Sequence, residues 1–134
     1  MRYVLDASVA VAALRRAEPL HSDALRRCMP LFAGHDEVVV PAIFDIEVTS
    51  ALVRRGAAPA TIARFFGRHL AARRLVTIGP RAARAVCGVV AATRLRAADA
   101  TYVWLAVRNG LPLVTADREV VNRAPLAGAN ALMP

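Results

Sequence analysis

A chain of 134 residues fits one domain with one sizeable core, and 57% hydrophobic residues exclude a disordered segment. The net charge is +8 and all eighteen basic residues are Arg, which favours polyanionic partners over basic ones and suits bidentate contacts to phosphate. Cys28 and Cys87 lie far apart, outside any CxxC pattern, which excludes a disulfide framework and a zinc module.

Pro and Gly punctuate the elements. Residues 2–6 read as a short buried strand and 7–16 as a helix. Residues 19–32 read as a second helix, with Pro19 suited to its first turn. A strand at 37–40 precedes a helix opened by Pro41 and running to about Arg55, where Gly56 closes it. Pro59 opens a helix to about Arg73, followed by a strand at 75–78. Pro80 begins a helix to about Ala92, and 93–97 form a connection. Residues 98–109 form a helix closed by Asn109-Gly110, 112–115 a strand and 118–123 a short helix; the last ten residues carry a weak strand signal.

The apolar stretch after Arg2 is interrupted by Asp6 and ends at Arg15-Arg16 without a cleavage site. No apolar run reaches the roughly 18 residues that span a bilayer. A cytoplasmic protein without membrane association is expected. A GC-rich coding sequence would produce the same Arg bias, but a basic surface attracts polyanions whatever its origin.

Short β-rich runs alternating with helical segments predict an α/β domain with a mostly parallel sheet covered by helices on both faces. Such sheets carry their functional residues at the carboxyl ends of the strands. Asp6 ends the first strand and Asp117 lies just beyond the PLVT strand, so both belong on that edge. Either could also be a helix cap or turn residue. Glu47 falls on an apolar helix stripe with Phe44, Val48, Ala51 and Leu52. A carboxylate there needs a partner, and an Arg or a metal ion would each serve. Asp45, on another face, is expected to be solvated. Asp99 stands at the start of an almost uniformly apolar helix, as an N-cap or as a site residue.

Taken together, these are four acids near strand ends or in the first halves of helices, in a chain with ten acids. Convergent carboxylates suit Mg2+ or Mn2+, which activate water and neutralise charge on a phosphate. The other six acids leave the remainder strongly basic, as a polyanionic substrate requires. His21, His35 and His69 have no metal-binding spacing and read as surface or boundary residues. There is no P-loop, GxSxG or Rossmann pattern. A phosphotransfer receiver wants paired acids and a Lys, and the chain has no Lys. A haloacid-dehalogenase phosphatase wants DxD where the first strand offers Asp6-Ala7-Ser8.

The segments YVLDASV, PAIFDIEVTSAL, AADATYVWLA and PLVTAD stand in an order and at a spacing that resemble PIN-domain proteins, most closely the VapC toxins of toxin–antitoxin pairs. The resemblance covers essentially the whole chain. It implies one PIN-like domain over residues 1–134, a three-layer sandwich with a mostly parallel central sheet flanked by helices. It implies an endoribonuclease dependent on Mg2+ or Mn2+, a homodimer, and a cognate antitoxin whose tail lies across the active-site groove. The family's acidic quartet falls on Asp6, Glu47, Asp99 and Asp117. Its hydroxyls fall on Ser8 and Thr115, which orient carboxylates or waters. A further acid often follows the last, and Glu119 stands there in place of the more usual Asp. In this reading Asp6, Asp99 and Asp117 hold the main ion, and Glu47 orients the attacking water or completes a second site. Hydrolysis leaves a 5′-phosphate and a 3′-hydroxyl. Arg94 and Arg96, just before Asp99, are candidate phosphate contacts or solvated loop charges. The alternative reading is a PIN-like module that binds RNA or a partner without cutting.

Overall fold

The computed structural model describes residues 1–134. Its apolar β-branched runs form the middle of the sheet. Tyr3 to Leu5 in β1 (Arg2–Leu5) and Val38 to Val40 in β2 (Glu37–Pro41) are fully buried. Such unbroken apolar runs are what a parallel strand covered on both faces requires. They are joined by β3 (Arg73–Val76), β4 (Leu113–Val114) and β5 (Ala131–Leu132) in the order β3-β2-β1-β4-β5. Every pairing is parallel, so the expected sheet is present and lacks any antiparallel strand.

Seven helices complete an α/β sandwich: α1 (Ala7–Leu14), α2 (His21–Phe32), α3 (Ile43–Arg54), α4 (Pro59–His69), α5 (Pro80–Thr93), α6 (Ala97–Asn109) and α7 (Arg118–Arg123). A 3-10 turn at Ala124–Ala127 follows α7. Helix α1 packs on α2 and α3, and α4 touches both of those. Helix α6 packs on α5, β1, β2 and β4, and its Tyr102, Val103, Leu105 and Ala106 are buried. No helix is long and apolar enough to cross a membrane.

The chain leaves β1 toward β2 on one side and reaches β4 on the other, so the strand order switches direction between β1 and β4. Ligand crevices in open parallel sheets form beyond the carboxyl ends of strands at such a switch.

The structure corrects several expectations. Strand β3 begins at Arg73, two residues before the expected start, and α4 ends at His69 rather than near Arg73. As an edge strand, β3 has no need of apolar residues on both faces. Arg73 instead makes two 2.8 Å hydrogen bonds to Asp45 and lies 4.7 Å from the Phe66 ring centroid. Asp45 is therefore half-buried in a bidentate pair, not solvated. Helix α1 stops at Leu14 and α2 starts at His21, which leaves a longer connection than the pattern implied.

Candidate active site

Asp6 follows the last residue of β1, and its extended backbone caps α1. Its Oδ1 accepts from the Ser8 N–H at 3.2 Å, so the cap reading holds. Its Oδ2 accepts from the Thr115 hydroxyl at 2.6 Å, which ties the carboxylate across to the end of β4. The same hydroxyl accepts from the Asp117 N–H at 3.1 Å, and Ser8 Oγ accepts from the Ala116 N–H at 3.2 Å. The two hydroxyls thus lock the switch point. Asp117 caps α7 through the Glu119 N–H at 2.8 Å and is exposed.

Asp99 is not an N-cap. Arg96 occupies that position through its backbone, and Asp99 lies in the first turn of α6, where the helix dipole favours a negative charge. Glu47 has no arginine partner. Its Oε2 accepts from the Tyr102 hydroxyl at 2.5 Å, and Tyr102 is itself buried. Of the two partners expected for Glu47, the Arg is excluded, and a neutral donor stands in its place.

All four carboxylates line one cleft of about 700 Å³, together with Ser8, and none of the ion pairs in the structure involves any of them. Three of them are shifted toward the protonated form. Burial, with added repulsion from Asp6 and Asp117, raises the Asp99 carboxyl from 3.8 to about 6, against a smaller opposing effect of Arg96. Burial raises Asp6 as well, partly offset by the Thr115 and Ser8 hydrogen bonds. Glu47 is raised by burial, and the charges of Asp6 and Asp99 add to it. Asp6, Glu47 and Asp99 each resist ionising in this cleft, and a cation between them would favour their ionised forms.

No three His, Cys, Asp or Glu side chains are set close enough together in this structure to hold a metal ion. An open carboxylate cleft still fits a hard divalent ion, because Mg2+ keeps several waters and uses few protein ligands. Thr115 lies under the cleft rather than lining it. Glu119 is exposed, pairs with Arg123 at 3.1 Å, and does not line the cleft. Arg94 ends α5 in a left-handed conformation (φ 58°), and neither Arg94 nor Arg96 lines the cleft, although the Arg96 charge reaches Asp99. Two lining or supporting residues escaped the sequence reading. Tyr102 follows Asp99 by one helical turn, and Arg54 follows Glu47 by two. Those spacings were the available signals.

Among solved structures, VapC20 of Mycobacterium tuberculosis, described as a sarcin-ricin loop cleaving toxin, aligns over 100% of both chains with 17% identity and a TM-score of 0.74. VapBC2 of Rickettsia felis, bound to a fragment of promoter DNA, aligns over 100% of this chain and 99% of its own with 14% identity and a TM-score of 0.70. A toxin–antitoxin complex of Klebsiella pneumoniae aligns over 97% and 95% with 15% identity and a TM-score of 0.67. At such identities the likeness is one of fold. No curated protein matches the chain by sequence. The family model of the PIN domain matches residues 3–125, from the first strand to beyond the last acid of the quartet, and the chain belongs to the PIN-domain family.

Proposed function

We propose that the chain is an endoribonuclease, the toxin of a toxin–antitoxin pair, which hydrolyses RNA with the help of Mg2+ or Mn2+. The observation that carries this reading is the meeting of four carboxylates, none in an ion pair, in one cleft of a chain of net charge +8. A protein that only bound a polyanion would gain nothing from four acids facing it.

Asp6, Asp99 and Asp117 would hold the ion. When bound, the ion supplies an activated water and neutralises charge that grows on the phosphate. Thr115 fixes Asp6, and the Ser8 hydroxyl steadies the backbone at Ala116 beside Asp117. Tyr102 holds Oε2 of Glu47 and leaves Oε1 without a protein partner. In this reading Glu47 Oε1 orients the attacking water and accepts its proton, a role that a raised pKa favours. Attack on the phosphodiester leaves a 5′-phosphate and a 3′-hydroxyl.

The reading carries an antitoxin, a homodimer and a cytoplasmic site of action with it. The toxin–antitoxin and VapBC assemblies of similar fold support the antitoxin. So do Ile43 and Ile46, which are exposed on the cleft wall and suit an apolar partner segment.

The test is cleavage of a mixed tRNA and rRNA pool by purified protein, with Mg2+ or Mn2+ and with EDTA, beside Asp99→Asn. Metal-dependent cutting lost in the variant is expected. Full activity in the variant would overturn the site, and no cutting by folded, metal-loaded protein would point to the non-cutting module.

A further inference from the structure

Two arginines line the cleft, Arg54 and Arg55, and Arg15 lies beside Arg55; the three are in unequal states. Arg55 Nε lies 3.1 Å from Glu18 Oε1, and its Nη1 donates to the Ala51 carbonyl at 3.1 Å. Arg15 Nε lies 3.7 Å from the same Glu18 oxygen, and its Nη1 donates to the Arg55 carbonyl at 3.4 Å. Glu18 and the carbonyls at the end of α3 therefore engage both. Arg54 also lines the cleft, is exposed, and makes no ion pair or side-chain hydrogen bond.

Glu47 and Arg54 lie two turns apart on α3, with Ser50 between them on the same cleft wall. At a rise of 1.5 Å per residue the two backbone positions are about 10 Å apart. An arginine rooted two turns beyond Glu47 on the same wall is suited to a neighbouring phosphate along the same strand. Arg55 and Arg15 would have to give up Glu18 to bind one, whereas Arg54 gives up nothing.

We propose that Arg54 forms a phosphate subsite that binds the RNA strand to one side of the scissile bond. The ligand class is an unreactive internal phosphodiester of a polynucleotide. The proposal rests on the nuclease reading and adds a direction to it, with the strand running along α3 from Glu47 toward Arg54.

The experiment uses the Asp99→Asn protein as a non-cutting parent and a fluorescent single-stranded oligoribonucleotide of mixed sequence. Binding is measured with Mg2+ present at several salt concentrations. Adding Arg54→Gln should weaken binding about tenfold at low salt, as expected for one lost charge-assisted contact. It should also lower the slope of log affinity against log salt by about 0.7, the value for one phosphate of a single strand. Arg55→Gln should leave that slope unchanged, and a dinucleotide, too short to reach, should be indifferent to Arg54→Gln. Equal melting temperatures would show that the exposed substitution leaves the fold intact. An Arg54→Gln protein with the parent's affinity and slope would overturn the subsite. A parent that binds no oligonucleotide would sink the nuclease reading, and the subsite with it.

Discussion

Thr115 has one hydroxyl with two duties. It donates to Asp6 Oδ2 and accepts from the Asp117 N–H, so two of the four acids depend on its rotamer. Thr115→Val keeps the shape and removes both bonds. It should cost about 1–3 kcal/mol, chiefly because the buried Asp6 carboxylate loses a partner. Thermal unfolding measures that loss, and Mn2+ titration should show weaker binding in the variant. Tyr102 tests a different point. Tyr102→Phe preserves the packing of α6 and deprives Glu47 of its donor. Cleavage should fall about tenfold in kcat with little change in KM, the pattern of an interaction that matters only during reaction. In a Glu47→Gln background the same change should have little further effect, since coupled residues do not add. Additive losses would mean that the Tyr102 hydroxyl acts independently of Glu47. Asp6 and Asp117 were legible in the sequence because strand ends announce themselves. Tyr102 was not, since a Tyr within TYVWLAV reads as core. Its hydroxyl finds Glu47, 55 positions away, only once α3 and α6 are folded.

Helix α6 is the element on which sheet and site both rest. It presents Asp99 to the cleft and the buried Tyr102 hydroxyl to Glu47, and the helix packs on β1, β2 and β4. Leu105 is fully buried there. Leu105→Ala should destabilise the fold by about 2–5 kcal/mol through the lost transfer energy and the cavity left behind. Cleavage per folded molecule should stay near the parent value, which denaturant unfolding beside an assay corrected for folded fraction would show. A specific loss of activity at full folding would mean that the helix shifts within the sheet. Elements with apolar periodicity and Pro or Gly boundaries, α5 and α6 among them, could be read from the sequence to within a residue or two. Strand β3 could not be placed so well. Its first residues are Arg73 and Arg74, and the partners that make Arg73 acceptable, Asp45 and Phe66, come from α3 and α4. Edge pairing of this kind is decided by tertiary contacts rather than by local pattern. Strand β5, two residues long, likewise exists through its pairing with β4.

At the scale of the whole molecule, the carboxylate cleft sets function against stability. Asp99 has an ordinary value of 3.8 and a folded value of about 6, and Asp6 and Glu47 are raised in the same direction. Between those two values the folded chain holds more protons than the unfolded chain. Stability must therefore fall as pH rises through this window, and the deficit is complete above the folded value. Carboxylates stabilised in their ionised form respond in the opposite sense, so a raw melting curve mixes contributions of both kinds. Comparison with Asp99→Asn separates them. The variant should gain stability relative to the parent as pH rises from about 4 to about 6, and keep that advantage at neutral pH in EDTA. Divalent ion should then reverse the order. It binds the carboxylates in their ionised form, displaces the proton that Asp99 holds below about pH 6, and stabilises the folded state in proportion to its affinity. Added Mg2+ or Mn2+ should raise the parent's melting temperature more at about pH 7.5 than at about pH 5, and should raise that of Asp99→Asn far less at either. A metal-free parent that outlasts Asp99→Asn at neutral pH would mean that the ionised Asp99 is already stabilised by the protein. The cleft would then have no electrostatic need of a cation, and the metal-assisted reading would lose its foundation.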